Sequence, residues 1–184
     1  ADESVHRLMA SEQLFDGYET GPADAAAAVI WLHGLGADAF DFAPIVDELT
    51  LPRDLKVRFV FPNAPRRSVT LNGGVVMRAW YDIVSLDADS RSSDEAGSEA
   101  SRAIVFDLLR REEQRGVPAD RIVLGGFSQG GAIAIHAGVR HPRRLGGIVA
   151  LSAYLLLPDR LDPELSAANR GLPIFMAHGR NDPI

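Results

Sequence analysis

Short apolar runs bounded by glycine or charge recur along the chain, and stretches with apolar residues at helical spacing lie between them. Ala27–His33 and Arg121–Phe127 read as buried strands, and Val57–Phe61, Gly147–Leu151 and Pro173–His178 have the same form. Leu14–Tyr18 reads as an edge strand. Phe40–Leu49 carries Phe42, Ile45, Val46 and Leu49 at helical spacing. Ser92–Arg115 opens with Ser92 and Glu95 at capping-box spacing and continues with Ala100, Ile104 and Leu108 as an i, i+4 stripe. Gly116 and Pro118 punctuate its end. Further helices are predicted over Gln129–Arg140 and, shorter, over Leu161–Asn169.

Strands alternating with helices predict an α/β domain, its sheet mostly parallel and covered by helices on both faces. No repeat or low-complexity tract divides residues 1–184, so they read as one domain. Pro62–Tyr81 is the one long stretch predicted to be irregular. It holds Pro62, Pro65, Gly73 and Gly74 around apolar Val69, Leu71, Val75, Val76 and Met77. Apolar content in so long a loop favours a substrate lid over 62–81.

Composition narrows the class. The chain has 184 residues, 46% of them hydrophobic, and no cysteine. Disulfides, thiolate metal sites and a cysteine nucleophile are thereby excluded. The net charge of −6 without a basic block argues against nucleic acid as a partner. The longest apolar run, Ala25–Leu32, is too short for a membrane span. Asp2 and Glu3 open a sequence without a signal-peptide pattern, so the chain reads as cytoplasmic, a leader already removed being the alternative. The five histidines have no partner at metal-ligand spacing, and no cofactor is implied.

Gly126-Phe127-Ser128-Gln129-Gly130 is a G-x-S-x-G sequence directly after one predicted strand and directly before a predicted helix. The bare pattern arises by chance about once in ten such chains. Its setting is that of a nucleophile elbow, where a serine stands proud of the sheet and close backbone approach demands glycine on either side. The alternative is a helix N-cap serine in a glycine-rich turn.

Acyl transfer by Ser128 would need two backbone donors for an oxyanion. His33-Gly34-Leu35-Gly36 follows an earlier strand, and its glycines would let the Leu35 N–H converge with that of Gln129. A plain βα turn is the alternative. His33 reads as a structural histidine bracing this loop. An acid is expected after a late strand, where Asp182 follows Pro173–Ala177.

Four segments together resemble the acyl-protein thioesterase/carboxylesterase family of α/β-hydrolases (phospholipase/carboxylesterase type). They are His33–Asp38, Pro62–Asp82 with its Asn72-Gly73-Gly74 and Trp80-Tyr81-Asp82, Gly126–Gly131 and Leu172–Asp182. The resemblance implies Ser128 as nucleophile, Asp182 as triad acid, and Leu35 and Gln129 as oxyanion donors. It also implies that Leu71, Val76, Met77 and Trp80 line an acyl pocket, and that the substrate is an acyl ester or thioester, including acylated protein. The apolar residues of Leu71–Met77 suit contact with a second copy of the chain equally well. The family's catalytic histidine comes some thirty residues after its acid, whereas only Pro183 and Ile184 follow Asp182. The resemblance thus places the base, a final strand and a final helix beyond residue 184, in roughly thirty to forty further residues. Without them, the last predicted strand would be an apolar sheet edge. The readings to be weighed are therefore a serine esterase, a non-catalytic acyl- or lipid-binding domain or degenerate relative, and a scaffold without ligand.

Overall fold

The computed structural model describes residues 15–85 and 94–182. In chain order the elements are strands β1 (Gly17–Thr20) and β2 (Ala27–Leu32), a helical turn α1 (Ile45–Glu48), and strands β3 (Val57–Pro62), β4 (Arg66–Val69) and β5 (Val75–Arg78). Helix α2 (Glu95–Gln114), strand β6 (Ile122–Phe127), helix α3 (Gln129–Gly138), strand β7 (Gly147–Leu151), helical turn α4 (Leu161–Glu164) and strand β8 (Ile174–Ala177) follow. Six strands form one sheet in the order β1-β3-β2-β6-β7-β8. Only β1 runs antiparallel to its neighbour; the other pairings are parallel.

Alternation along the strands splits their side chains between two unequal cores. Ala28, Ile30 and Leu32 of β2 join Val60, Ile122, Leu124, Ile148 and Ala150 on the face covered by α2 and α3. Val29 and Trp31 point the other way, into a smaller cluster with Phe42, Val46, Phe59 and Phe61. Every residue of α3 is buried. A helix buried on all sides belongs in the interior, and this one carries the second glycine of G-x-S-x-G, Gly130, in its first turn, the first, Gly126, lying in β6.

Three predicted helices differ in extent from expectation. Over 40–49 only Ile45–Glu48 is helical. The Ala39 N–H is taken by Asn63 Oδ1 and the Phe40 N–H by Asp38 Oδ1, which commits the preceding backbone to a turn. Pro44 then disfavours helical geometry at Ala43. Helix α2 is capped by Asp94, whose Oδ1 accepts from the Gly97 N–H at 2.8 Å; Ser92 lies outside the described residues. The segment 161–169 breaks after Glu164 and resumes as a 3-10 turn, Ala167–Asn169.

The stretch 62–81 is not irregular. β4 and β5 pair antiparallel as a separate hairpin. A 3-10 turn leads into Gly73 (φ 67°) and Gly74 (φ 82°), two consecutive left-handed positions that only glycine occupies without cost. At the far edge of the main sheet, β8 is exposed along its length. No helix among the described residues is long and apolar enough to cross a membrane.

One buried ionic cluster ties α2 to the sheet. Arg58 of β3 donates from Nε to Glu112 Oε2 at 2.7 Å and from Nη1 to the carbonyls of Pro22 and Ala23. Glu112 Oε1 accepts from Arg111 and Arg115, and both arginines also bind Glu19. Removing one member of a buried pair leaves a charge without compensation. Glu112→Ala is therefore expected to cost about 3–5 kcal/mol in urea unfolding. The double replacement Arg58→Met/Glu112→Leu, which removes both charges, should cost clearly less.

Candidate active site

β6 runs into α3 through Ser128, whose backbone takes φ 53°, ψ −119°. This conformation is unfavourable for a residue with a Cβ, by about 1–3 kcal/mol. It is held in place by neighbours: the Ser128 N–H donates to the Leu151 carbonyl at 2.8 Å, and the Ser128 carbonyl accepts from the Ala132 N–H at 3.0 Å. The hydroxyl makes no capping bond to the helix. An N-cap serine would have an extended backbone and an engaged Oγ, so the capping alternative fails on both points.

The glycines are explained by distance. A Cβ on Gly126 would lie 2.4 Å from the Gly130 carbonyl carbon. One on Gly130 would lie 2.2 Å from the Leu32 carbonyl oxygen and 2.5 Å from that of His33. The first turn of α3 thus rests directly on the backbone leaving β2, with no room for a side chain between them.

That backbone is the 33–36 loop. His33 is buried; its Nε2 accepts from the Ala64 N–H at 3.0 Å, so the ring proton sits on Nδ1 and is donated to the Gly34 carbonyl at 2.7 Å. Burial pushes the His33 pKa below its ordinary 6.5, aided by Arg78 and opposed by the Gly34 bond, Asp38 and Asp41. A neutral ring locked on both nitrogens is a brace, as the sequence suggested. Gly36, at φ 75°, donates its N–H to the Arg78 carbonyl at 2.9 Å.

The remaining sequence candidates divide. Leu35 is partly buried in the loop, packed against the main core. Gln129 is buried at the first position of α3, where a backbone N–H has no partner within the helix. Leu71 and Val76 are exposed on the hairpin. Met77 faces the loop, its Sδ 3.6 Å from where a Gly36 Cβ would stand. Trp80 differs from expectation. It is fully buried, its ring centroid 5.5 Å from that of His33 and its Nε1 donating to the His33 carbonyl at 2.9 Å. It is a core residue behind the loop, because its indole N–H finds a buried carbonyl there. Asp182 follows β8 in a turn closed by its N–H on the Gly179 carbonyl, with Oδ2 3.5 Å from His178 Nε2.

Sequence reasoning missed the polar side chains that surround these groups. Gln129 accepts from the Trp80 N–H and donates to the Tyr81 carbonyl, both at 2.7 Å. The Tyr81 and Tyr154 hydroxyls are 2.6 Å apart. These contacts join residues 48 to 73 positions apart, beyond the reach of any local pattern.

A mostly parallel sheet whose central strand delivers a strained serine to a buried helix defines an α/β-hydrolase. The phospholipase/carboxylesterase family model matches residues 19–184, and the chain belongs to that family. It is 43% identical to acyl-protein thioesterase 1 of Neurospora crassa over 168 residues, covering 86% of this chain and 67% of that protein. Its identity to acyl-protein thioesterase 1 of Yarrowia lipolytica is 40% over 166 residues, covering 89% and 73% respectively. Among solved structures, Zea mays acyl-protein thioesterase 2 superposes with TM-score 0.74 at 28% identity, covering 89% of this chain and 76% of that one. Arabidopsis thaliana SOBER1 superposes with TM-score 0.79 at 28% identity, covering 84% and 74%.

The histidine states set a pH dependence of stability. Burial lowers the pKa of His136 as well as that of His33; for His136 Arg140 adds to the effect, and Glu99, its partner at 3.0 Å, opposes it. The folded values lie below 6.5, so the unfolded chain binds more protons just below that pH. This contribution to stability is complete above pH 6.5 and is lost as pH falls below it. Urea midpoints should accordingly drop between pH 7.5 and 5, with a shallower slope in a His33→Gln/His136→Gln variant.

Proposed function

We propose that the protein is a serine hydrolase that cleaves acyl esters or thioesters through an acyl-Ser128 intermediate. The observation that carries this reading is the backbone of Ser128. A binding domain or scaffold has no use for a serine held at φ 53° with its hydroxyl uncommitted to the helix, whereas a nucleophile must be presented in this way.

In the proposed reaction Ser128 Oγ attacks the acyl carbonyl, and its proton passes to a histidine base oriented by Asp182. His33, His136 and His141 are engaged elsewhere, with Ala64, Glu99 and Arg143, and are not assigned as that base; His178, 3.5 Å from Asp182 in the same turn, is not assigned either. The N–H groups of Leu35 and Gln129 stabilise the oxyanion. The contact of Gly130 with the Leu32 and His33 carbonyls supports that assignment by bringing the two donor-bearing segments together. As the tetrahedral intermediate collapses, the alcohol or thiol leaves with the proton from the base. Water then attacks the acyl-enzyme by the reverse proton transfers and frees Ser128.

The names of the relatives point to thioesters on acylated proteins as substrates. The apolar, exposed hairpin residues Leu71 and Val76, with Met77 beside the oxyanion loop, suit the acyl chain. A net charge of −6 without a basic block fits a protein that binds no nucleic acid.

The test is direct. A fluorophosphonate should label Ser128 of the full-length protein, and Ser128→Ala should retain less than about one part in a thousand of the esterase activity with an unchanged fold. Activity above that level would remove Ser128 from the mechanism. Changes of bulk at Leu71, Val76 or Met77 should shift rates across a p-nitrophenyl ester chain-length series by a few-fold to about tenfold, since one buried methylene is worth about 0.8 kcal/mol. Three unchanged profiles would move the acyl site away from the hairpin.

A further inference from the structure

Beyond the last sheet pair, Leu32 opposite Gly126, the two segments proposed to carry the oxyanion donors part company. Leu35 goes into the loop and Gln129 into α3. Residues 78–81 bond to both. On the loop side, the Gly36 N–H donates to the Arg78 carbonyl at 2.9 Å and Trp80 Nε1 to the His33 carbonyl at 2.9 Å. On the helix side, the Trp80 N–H donates to Gln129 Oε1 and Gln129 Nε2 to the Tyr81 carbonyl, both at 2.7 Å. Trp80, Gln129, His33 and Tyr81 are each at most 2% exposed.

We infer that the Gln129 amide and the Trp80 indole are positioning residues, which hold the two oxyanion N–H groups at their working separation by clamping both segments to 78–81. The inference rests on Ser128 as nucleophile. An oxyanion hole functions only when its donors lie about 2.7–3.1 Å from the developing charge, so the relative placement of two independent segments is a catalytic quantity. The chemistry of the clamp is specific. A primary amide accepts from one backbone N–H and donates to the next residue's carbonyl, which neither a thioether nor an aliphatic chain of the same length can do. Because residues 78–81 continue directly from β5, the clamp also joins the hairpin proposed to bind the acyl chain to the donors that act on its carbonyl.

A role confined to stability and a role in positioning give different kinetics. Gln129→Met keeps the length and volume of the side chain but removes both hydrogen bonds; Trp80→Phe keeps an aromatic ring but removes the bond to His33. In the full-length protein, sites would be counted by complete fluorophosphonate labelling, and kcat per labelled site, KM and the labelling rate measured for a p-nitrophenyl ester. The expected result is a fall in kcat per site of about 10–100-fold, less than the 10²–10³ for deleting a donor outright. KM should change by less than about threefold, and the labelling rate should fall alongside kcat. Should Gln129→Met fail to fold, Trp80→Phe decides the matter alone. A lowered Tm with kcat per site unchanged would overturn the clamp while leaving Ser128 as nucleophile. Wild-type protein that takes no label at Ser128 would overturn the functional reading and this inference with it.

Discussion

The site depends on one backbone-to-backbone contact: the first turn of α3 against the carbonyls that end β2. At 2.2 Å from the Leu32 oxygen, a Cβ on Gly130 has nowhere to go. Gly126 meets the same turn from the other side. With side chains excluded at both positions, the chain turns from strand to helix within one residue, and Ser128 absorbs the turn in its own φ and ψ. The strain at Ser128 is thus the geometric consequence of how tightly α3 seats on the sheet. Its cost of about 1–3 kcal/mol is offset by a helix buried on every side.

Tight seating leaves polar groups that cannot reach water, and the structure satisfies them in a way that also stiffens the site. Buried backbone groups left unpaired are costly. The His33 and Tyr81 carbonyls and the N–H groups of Ala64 and Trp80 face the interior, and His33, Trp80 and Gln129 supply their partners. Each of these side chains bonds backbone of a different segment from its own. The requirement to pair buried groups therefore ties these segments and α3 into one hydrogen-bonded unit. On the opposite flank the Arg58–Glu112 cluster does a comparable task for α2, through charge.

Much of this architecture was legible because parallel strands buried on both faces appear as short continuous apolar runs. Each predicted strand is present within one residue at its end, apart from the edge strand, where β1 lies at 17–20 against a predicted 14–18. The elbow was legible for a different reason: two glycines around a serine record a lack of space, and space is a property of the fold. What could not be read depends on distant partners. Nothing within 40–49 reveals that Asn63 takes the Ala39 N–H. The hairpin of 66–78 was hidden because its four-residue strands pair only with each other, off the main sheet. Trp80 reads as lining an acyl pocket by residue type and by its place beside an apolar loop. Only the His33 carbonyl, 47 positions away, shows why it is inside.

Stiffness and exposure are unevenly divided around Ser128, and the division has a physical basis. Groups that stabilise developing charge act through short, directional bonds and lose effect with small displacements, and the proposed oxyanion donors sit where packing and paired polar groups permit little motion. Acyl chains are held by non-directional burial at about 0.8 kcal/mol per methylene, which tolerates a looser surface. Leu71, Val75 and Val76 stand on a two-stranded hairpin that is exposed to solvent, a motif that is only marginally stable without packing. Its turn is nevertheless anchored: Asp82 accepts from the Thr70 N–H and hydroxyl, the Leu71 N–H donates to the Ile83 carbonyl, and Asp94 accepts from the Asp82 N–H. The hairpin is thus fastened both at its turn, by 82–83, and at its root, where the Ala79 N–H donates to the Pro65 carbonyl and the chain runs directly into Trp80, so its exposed apolar side chains stand on a held backbone.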